Sequence, residues 1–471
     1  MIRIASSLLL ALLSLSDPQS PPPLLHASEW TLDGPRPAAY VLQADGRATD
    51  QNGATISLRS AADASGAFGP VSSRLTADSF RGRRVTISGE LQTRGAADGA
   101  SLWLRIDQDA TALLLDNGTD QAVRGDAEWT ARSISLPVPL EATVVVFGVL
   151  LRGGGAVSVR RLRLEVSAPV AASAPLAAPA KDVLDAALSI TKKHSLRRND
   201  VPWDVVEPKV RALAAGAEKS ADVYPAIRYL LAQLGDHHSF LMPPAQTSQF
   251  RTGGAQNPGP EVRALPERAG YVSVPGYSGA EPGAMRAYAT RMHEALGGTI
   301  ASVSCGWVVD LRKDTGGNMW PMLAGLKPFL GTVGLGTFES AEGSSAPWIA
   351  GQGVDIEPPP ALAVLESSWV AVLTGPRTAS SGEAVAIAFR GRPRTRSFGQ
   401  PTAGLSTANG TFPLPDGAMI LLTTAVDADR TGRRYGDKIA PDEPVDAAGT
   451  DDTTLSAALQ WLKQSSGCGK D

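Results

Sequence analysis

The stretch Trp369–Gly391, WVAVLTGPRTASSGEAVAIAFRG, changes character twice along its length. Trp369 to Leu373 is an apolar run of strand type, Gly375 and Pro376 break it, and Glu383 to Phe389 continues as a helix. Strand, break and helix in that order form the repeating unit of an α/β layer. The break also places Ser380 and Ser381 beside a helix N-terminus, where unpaired N–H groups and the positive dipole end favour an oxyanion. Either serine could equally be an N-cap, so these residues alone leave both readings open. The stretch is not the G-x-S-x-G elbow: Gly382 supplies the second glycine, but Thr378 stands where the first would be.

Working outward, the same alternation runs from Gly270: GYVSVPG, a helix from Pro282 to Leu296, GWVVDLR, a helix after Asn318, then WVAVLTG, a helix from Glu383, and TRSFG. This predicts an α/β layer structure with a largely parallel sheet. Ahead of it, apolar residues fall at helical spacing in three groups: Leu184, Leu188 and Thr191; Val205, Val210 and Leu213; and Val223 to Leu234. The third helix is bounded by Asp222 as N-cap, Pro225 in its first turn and Gly235 beyond its end. Residues 28–168 read differently. Short alternating runs such as VTISGELQT, SLWLRIDQ and VSVRRLRLEV predict an antiparallel β-sandwich, and the Ala/Pro-rich residues 169–181 predict a semi-extended linker.

The 471 residues carry 44 basic and 47 acidic side chains, a net charge of -3, with no dense Lys/Arg run. A nucleic-acid partner is excluded on that ground, because nothing would neutralise a row of phosphates. Arg3 and the apolar run Ile4–Leu15, followed by polar and Pro-rich residues, read as a signal peptide over 1–27. That run is too short to cross a bilayer, so an exported protein, periplasmic or extracellular, with no membrane span is expected. Cys305 and Cys468 are the two cysteines. The reading preferred here is a buried free Cys305 and an exposed Cys468; a disulfide is the alternative that an oxidising compartment would permit.

Histidines are few. His194 ends a helix, where its charge can meet the dipole, and His293, beside Met292 and Glu294, reads as a solvated surface residue. That leaves His237 and His238 in GDHHSF, presented at a helix-to-loop junction between an acid and a hydroxyl. No H-E-x-x-H, cysteine pair at ligand spacing or third placed histidine accompanies them, so neither a metal nor a cofactor is expected. In DTGGN, Asp314 to Asn318, two glycines after a strand let backbone N–H groups approach a ligand, as half of an oxyanion hole would require.

Taken in order, LGDHHSFL, GYVSVPGY, VVDLRKDTGG, VAVLTGPRTASSGEAVA, SFGQPTAG and KIAPDEPV resemble the tail-specific, or C-terminal processing, serine proteases, a family that takes in the tricorn-type proteases. The resemblance covers roughly residues 182–445. It implies a multidomain chain: a C-terminal α/β crotonase-like (ClpP/crotonase) protease domain over 251–465, a helical lead-in over 182–250 and a tail over 466–471. The front domain's strand rhythm and tryptophan placement resemble galactose-binding-like jelly rolls. There Trp103, Trp129 and Arg105 are candidates to line a carbohydrate or peptide site, with aromatic core packing as the alternative.

The family's nucleophile stands three residues before a glutamate, which selects Ser380. Its acid-x-His-Ser/Thr pattern selects His238 as base, and the backbone N–H groups of Gly317 and Ser381 become the oxyanion donors. The implied activity is that of an exported serine endopeptidase acting on polypeptides. The chain also departs from the family. Leu405 stands where processing members place a lysine base, Tyr435 where tricorn-type members place a glutamate, and His237 where they have serine. The group that orients His238 therefore stays open among Asp437, Asp236 and Glu383, with support of the helix start as the alternative role of Glu383. The interval from His238 to Tyr271 is too short for a PDZ domain. Two rival functions follow from these departures: a non-catalytic ligand- or peptide-binding protein on the same scaffold, or a secreted esterase or amidase.

Overall fold

The computed structural model describes residues 30–45, 55–61, 64, 66–252, 257–446 and 451–468. The signal-peptide reading of 1–27 lies outside these residues. The chain forms two compact units. One holds the residues up to Ala177 together with Lys209–Tyr229, and the other holds Ala178–Pro208 and the chain from Leu230 onward.

The first unit is built on nine antiparallel strands: β1 (Thr31–Leu32), β2 (Tyr40–Asp45), β3 (Thr55–Ser60), β4 (Phe68–Thr76), β5 (Arg84–Gln108), β6 (Thr111–Asp116), β7 (Val123–Pro137), β8 (Val144–Arg152) and β9 (Ala156–Val166). β5 is the hub. Its first half pairs with β7 and β9, its second half with β8 and β6, and the register slips between Thr93 and Ala100, where the strand changes partners. Val85, Ile87 and Leu91 are buried while Thr86, Ser88 and Glu90 between them are partly exposed, the period-two pattern that a half-buried strand requires. Trp103 belongs to this interior: it packs with Val146 and Leu150 and its Nε1 donates to the Val71 carbonyl at 3.2 Å. Arg105 pairs with Asp107 at 2.8 Å, and the Arg160 guanidinium lies 4.2 Å from the Trp129 ring centre.

The second unit opens with α1 (Ala178–His194), so the predicted linker 169–181 is already helical from Ala178. Pro179 fits the first turn because no intrahelical N–H is needed there. α2 (Trp203–Ala214) and α3 (Tyr224–Ala232) follow, and since Lys209–Tyr229 groups with the sheet, the predicted lead-in 182–250 divides between the two units. Past β10 (Phe240–Met242) and α4 (Pro244–Thr252), six strands form one sheet in the order β11 (Glu261–Ala264), β12 (Gly270–Ser273), β13 (Trp307–Asp310), β16 (Val370–Thr374), β17 (Thr395–Gly399), β20 (Glu443–Pro444). All neighbours are parallel except β11 with β12. A second, antiparallel sheet joins β10, β14 (Gly336–Ser340), β15 (Ser345–Pro347), β18 (Thr407–Pro413) and β19 (Met419–Asp429).

The central strands β13 and β16 are buried at every position, as expected of parallel strands covered on both faces. Val309, Val370 and Val372 point toward α5 (Pro282–Thr299), α6 (Met319–Leu330) and α7 (Ser381–Ala388). Val308, Ala371 and Leu373 point to the other face, against Ala458 and Leu462 of α8 (Thr453–Ser466).

Two sequence readings are corrected here. His293 is buried, not solvated: it continues the Met285, Ala289, Met292, Leu296 stripe of α5, and its Nε2 lies 3.0 Å from the Ala324 carbonyl of α6. Cys305 and Cys468 are joined as a disulfide, because α8 lies against the sheet and returns its end to the loop before β13, beside Leu265 and Ala269.

Candidate active site

The site is assembled from loops at the C-terminal ends of β13 and β16, the rim where parallel sheets present ligand-binding groups. Thr378 ties the two loops together: its Oγ1 donates to the Leu311 carbonyl at 2.9 Å and accepts from the Gly375 N–H at 3.1 Å. Ser380 follows as the N-cap of α7, with φ 53° and ψ −118°, a backbone state that costs a non-glycine residue about 1–3 kcal/mol and needs external support. The support is Glu383. Its fully buried carboxylate accepts from the Ser380 N–H (2.8 Å), the Leu405 N–H (2.8 Å), the Gly404 N–H (3.0 Å) and the Thr402 hydroxyl (2.5 Å). Burial pushes this carboxyl up, and the four hydrogen bonds oppose that shift.

His238 arrives from the segment ahead of β10. Asp236 shapes that turn by accepting from the backbone N–H of His238 (3.0 Å) and of Ser239 (2.8 Å), while Asn409 Nδ2 donates to the His238 carbonyl at 2.9 Å. His237 takes a left-handed conformation, φ 54°, which turns the next side chain inward. The result brings together two residues 142 positions apart: His238 Nε2 lies 2.8 Å from Ser380 Oγ. On the other side of the ring, Nδ1 lies 2.7 Å from Thr407 Oγ1. A ring with its proton on Nδ1, donating to Thr407, leaves the Nε2 lone pair free to accept from the serine; this tautomer follows from the hydrogen-bond network. Burial holds the imidazole below its ordinary value, with the Asp236 charge opposing, so the ring is a neutral acceptor at neutral pH.

None of the three carboxylates expected to orient His238 meets its ring. Asp236 is spent on backbone N–H groups, Glu383 on the four donors above, and Asp437 Oδ1 accepts from the Lys438 N–H at 2.7 Å. Tyr435 donates to Asp429 Oδ2 at 2.7 Å and takes no part. The group that does meet the ring, Thr407, is not among the residues the sequence singles out. It lies in the turn of Leu405, but 169 positions from His238 and without a charge, so neither spacing nor residue type singled it out.

The glycine turn meets Ser380 from the β13 side. Gly317 has φ 117°, and a Cβ there would lie 1.9 Å from the Tyr277 carbonyl oxygen, so only glycine fits. Ser381 Oγ donates to the Gly317 carbonyl at 2.8 Å, joining this turn to the start of α7. Among the described residues, neither the Gly317 nor the Ser381 backbone N–H has an acceptor. Beneath them Asp314 accepts from the Gly316 N–H at 3.0 Å, and burial pushes its carboxyl up to about 7.

Ser380 and His238 open into a cleft of about 800 Å³ whose walls include Phe240, Met242, Trp320, Phe338 and Leu405. One carboxyl group interrupts this largely apolar lining. Asp427 of β19 is 1% exposed, and burial, with the Glu383 charge second, pushes it up to about 8. Among the described residues no cluster of three or more His, Cys, Asp or Glu side chains could hold a metal ion, and no helix is long and apolar enough to cross a membrane.

Residues 268–445 match the family described as Peptidase family S41, a span that holds Ser380 and the glycine turn but begins after His238. The chain is 27% identical over 267 residues to the nisin-resistance protein of Lactococcus lactis subsp. lactis, covering 55% of this chain and 80% of that one. It is 32% identical over 130 residues to the uncharacterized HTH-type transcriptional regulator YbfP of Bacillus subtilis (strain 168), 27% of this chain and 44% of that one. Among solved structures, a lipoprotein from Streptococcus agalactiae superposes with a TM-score of 0.54 at 24% identity, over 61% of this chain and 97% of that chain, a likeness of fold. The class that the family match defines for residues 268–445 is a serine-type peptidase. More narrowly, residues 268–445 carry the match to Peptidase family S41, and a large antiparallel sheet domain precedes them in the chain.

Proposed function

We propose that the chain is an exported endopeptidase of the tail-specific type that cleaves polypeptides through a Ser380 acyl-enzyme. The observation that carries this reading is the 2.8 Å contact between Ser380 Oγ and His238 Nε2, made by residues from separate segments at the mouth of one cleft. His238 takes the hydroxyl proton as Oγ attacks the carbonyl carbon, then gives it to the leaving amine; in the second half it takes a proton from the water that attacks the acyl carbon and returns it to Ser380 Oγ as that bond breaks. Thr407 Oγ1 accepts a hydrogen bond from Nδ1–H throughout and holds the ring in register. The Gly317 and Ser381 N–H groups receive the oxyanion, each worth about 3 kcal/mol of barrier. Export is supported by the Arg3–Leu15 pattern and by the likeness to a lipoprotein. The crotonase-like identity of the α/β layer and the jelly-roll identity of the front sheet belong to the same proposal, supported by the parallel strand order of the first and the all-antiparallel pairing of the second. Leu405 and Tyr435 do not argue against catalysis in this arrangement, since neither site is asked to hold the ring.

A fluorophosphonate probe tests the reading directly. It is expected to label Ser380 alone, at a rate that falls with acid through a midpoint below the ordinary imidazole value of about 6.5, because only neutral His238 can accept the proton. Labelling elsewhere, or none, would sink the proposal.

Thr407→Val should separate orientation from binding. Losing one hydrogen bond to a ring that becomes cationic costs about 1.5–3 kcal/mol, so kcat is expected to fall roughly 10- to 150-fold with KM little changed. Steady-state kinetics on a peptide substrate reads this out, and an unchanged kcat would remove Thr407 from its role.

A further inference from the structure

The cleft contains a carboxyl group that the reaction does not use. Asp427 is almost wholly enclosed, its Oδ1 has no hydrogen-bond partner, and no Lys or Arg among the described residues pairs with it. The charge acting on it is the Glu383 carboxylate, of the same sign. Asp427 stands opposite Phe338 in the sheet, and the cleft it lines also holds Trp320, Ala384 and Leu405. A buried polar atom left without a partner costs about 1–3 kcal/mol, and an unpaired charge more, so the fold gains nothing from an acid at this position. The acid shares its cleft with the chemistry, since Asp427, Ala384 and Ser380 all line it.

We propose that Asp427 is a specificity residue that accepts a basic side chain, lysine or arginine, of a polypeptide substrate bound beside the scissile bond. The apolar walls suit the methylene stem of such a side chain, and the carboxyl group at their end, losing its proton to solvent as it pairs, suits its charged head. Pairing would satisfy the orphaned oxygen, and a neutral side chain of equal length would leave it unpaired. This rests on the peptidase reading above and deepens it by naming the substrate class.

The test uses the full chain carrying Ser380→Ala, so that binding is measured without turnover. Alanine-based decapeptides with lysine, norleucine or Nε-acetyl-lysine scanned through each position are titrated by calorimetry. Lysine at one position is expected to bind at least about tenfold tighter than norleucine or acetyl-lysine there, and the advantage should vanish when Asp427→Asn is added. The acetyl-lysine comparison needs no second substitution, so a misfolded Asp427→Asn would not shield the idea. Equal binding of the three side chains at every position would overturn it, as would a lysine preference that survives in a folded Asp427→Asn protein. Fluorophosphonate labelling of the unmodified chain reports separately on the peptidase reading, so the two can fail independently.

Discussion

Ser380→Ala is expected to lower kcat for peptide hydrolysis by about a million-fold and to leave substrate binding within a few-fold of the original. The size follows from what the hydroxyl does: it is the atom that becomes bonded to the acyl group, so without it His238 has no proton to take and no covalent intermediate forms. What remains is attack by water in a site that still holds the substrate carbonyl near the Gly317 and Ser381 N–H groups, worth a residual factor of about 10³–10⁴ over water alone. Stability should fall by only about 1 kcal/mol, the net value of the hydrogen bond to His238. Matched assays with a casein-like chain and a nitrophenyl ester, with thermal unfolding as control, read all of this. Retention of peptide turnover by a well-folded Ser380→Ala protein would remove the serine mechanism. Turnover of the ester with none of the polypeptide by the unmodified chain would favour an esterase instead.

The second large effect is structural. Glu383→Ala is expected to lose about 5 kcal/mol or more of stability. The substitution strips the acceptor from three part-buried N–H groups and one buried hydroxyl around a fully buried side chain, each worth about 1–3 kcal/mol and not strictly additive. Glu383→Gln keeps the shape but turns an NH₂ toward groups that are themselves donors, so an intermediate loss of about 2–4 kcal/mol is expected. Because the same carboxylate holds Ser380 in its strained backbone state, the fraction of Glu383→Gln that stays folded should also label slowly with a fluorophosphonate. Unfolding curves with labelling rates in parallel check both halves. A normal melting temperature for Glu383→Ala would mean that another group holds the turn.

Much of the fold was legible because periodicity reports burial directly. The runs at Gly270, Trp307 and Trp369 are strands of the parallel sheet, and the alternating runs between Val85 and Val166 belong to the antiparallel one. Ser380 and His238 were legible only through the order of motifs, since a serine at a helix start and an Asp-His-His turn each have bland explanations. What stayed hidden depended on contacts distant in sequence. The burial of His293 is decided by the approach of α6, and the pairing of Cys305 with Cys468 by where α8 ends. The orientation of His238 by Thr407 requires the β18 turn to fold back across the ring. A search restricted to carboxylates could not find a hydroxyl, and the three acids near the site are occupied by backbone N–H groups.

The segment that carries His238 is secured to the antiparallel sheet through β10, which pairs with β19 over just three residue pairs, Phe240 with Leu421 to Met242 with Met419. Two side-chain clasps add to it: Asn409 on the His238 carbonyl and Ser239 Oγ on the Thr423 N–H. The nucleophile, by contrast, grows out of a strand buried at every position. Acid–base competence and nucleophile placement are therefore thermodynamically separable, with the base held by the weaker anchorage. A short attachment of this kind opens at a free energy well below that of global unfolding. Heat or mild denaturant would therefore silence the peptidase while its parallel sheet is still intact, so that loss of activity marks a local melting and not the denaturation of the domain.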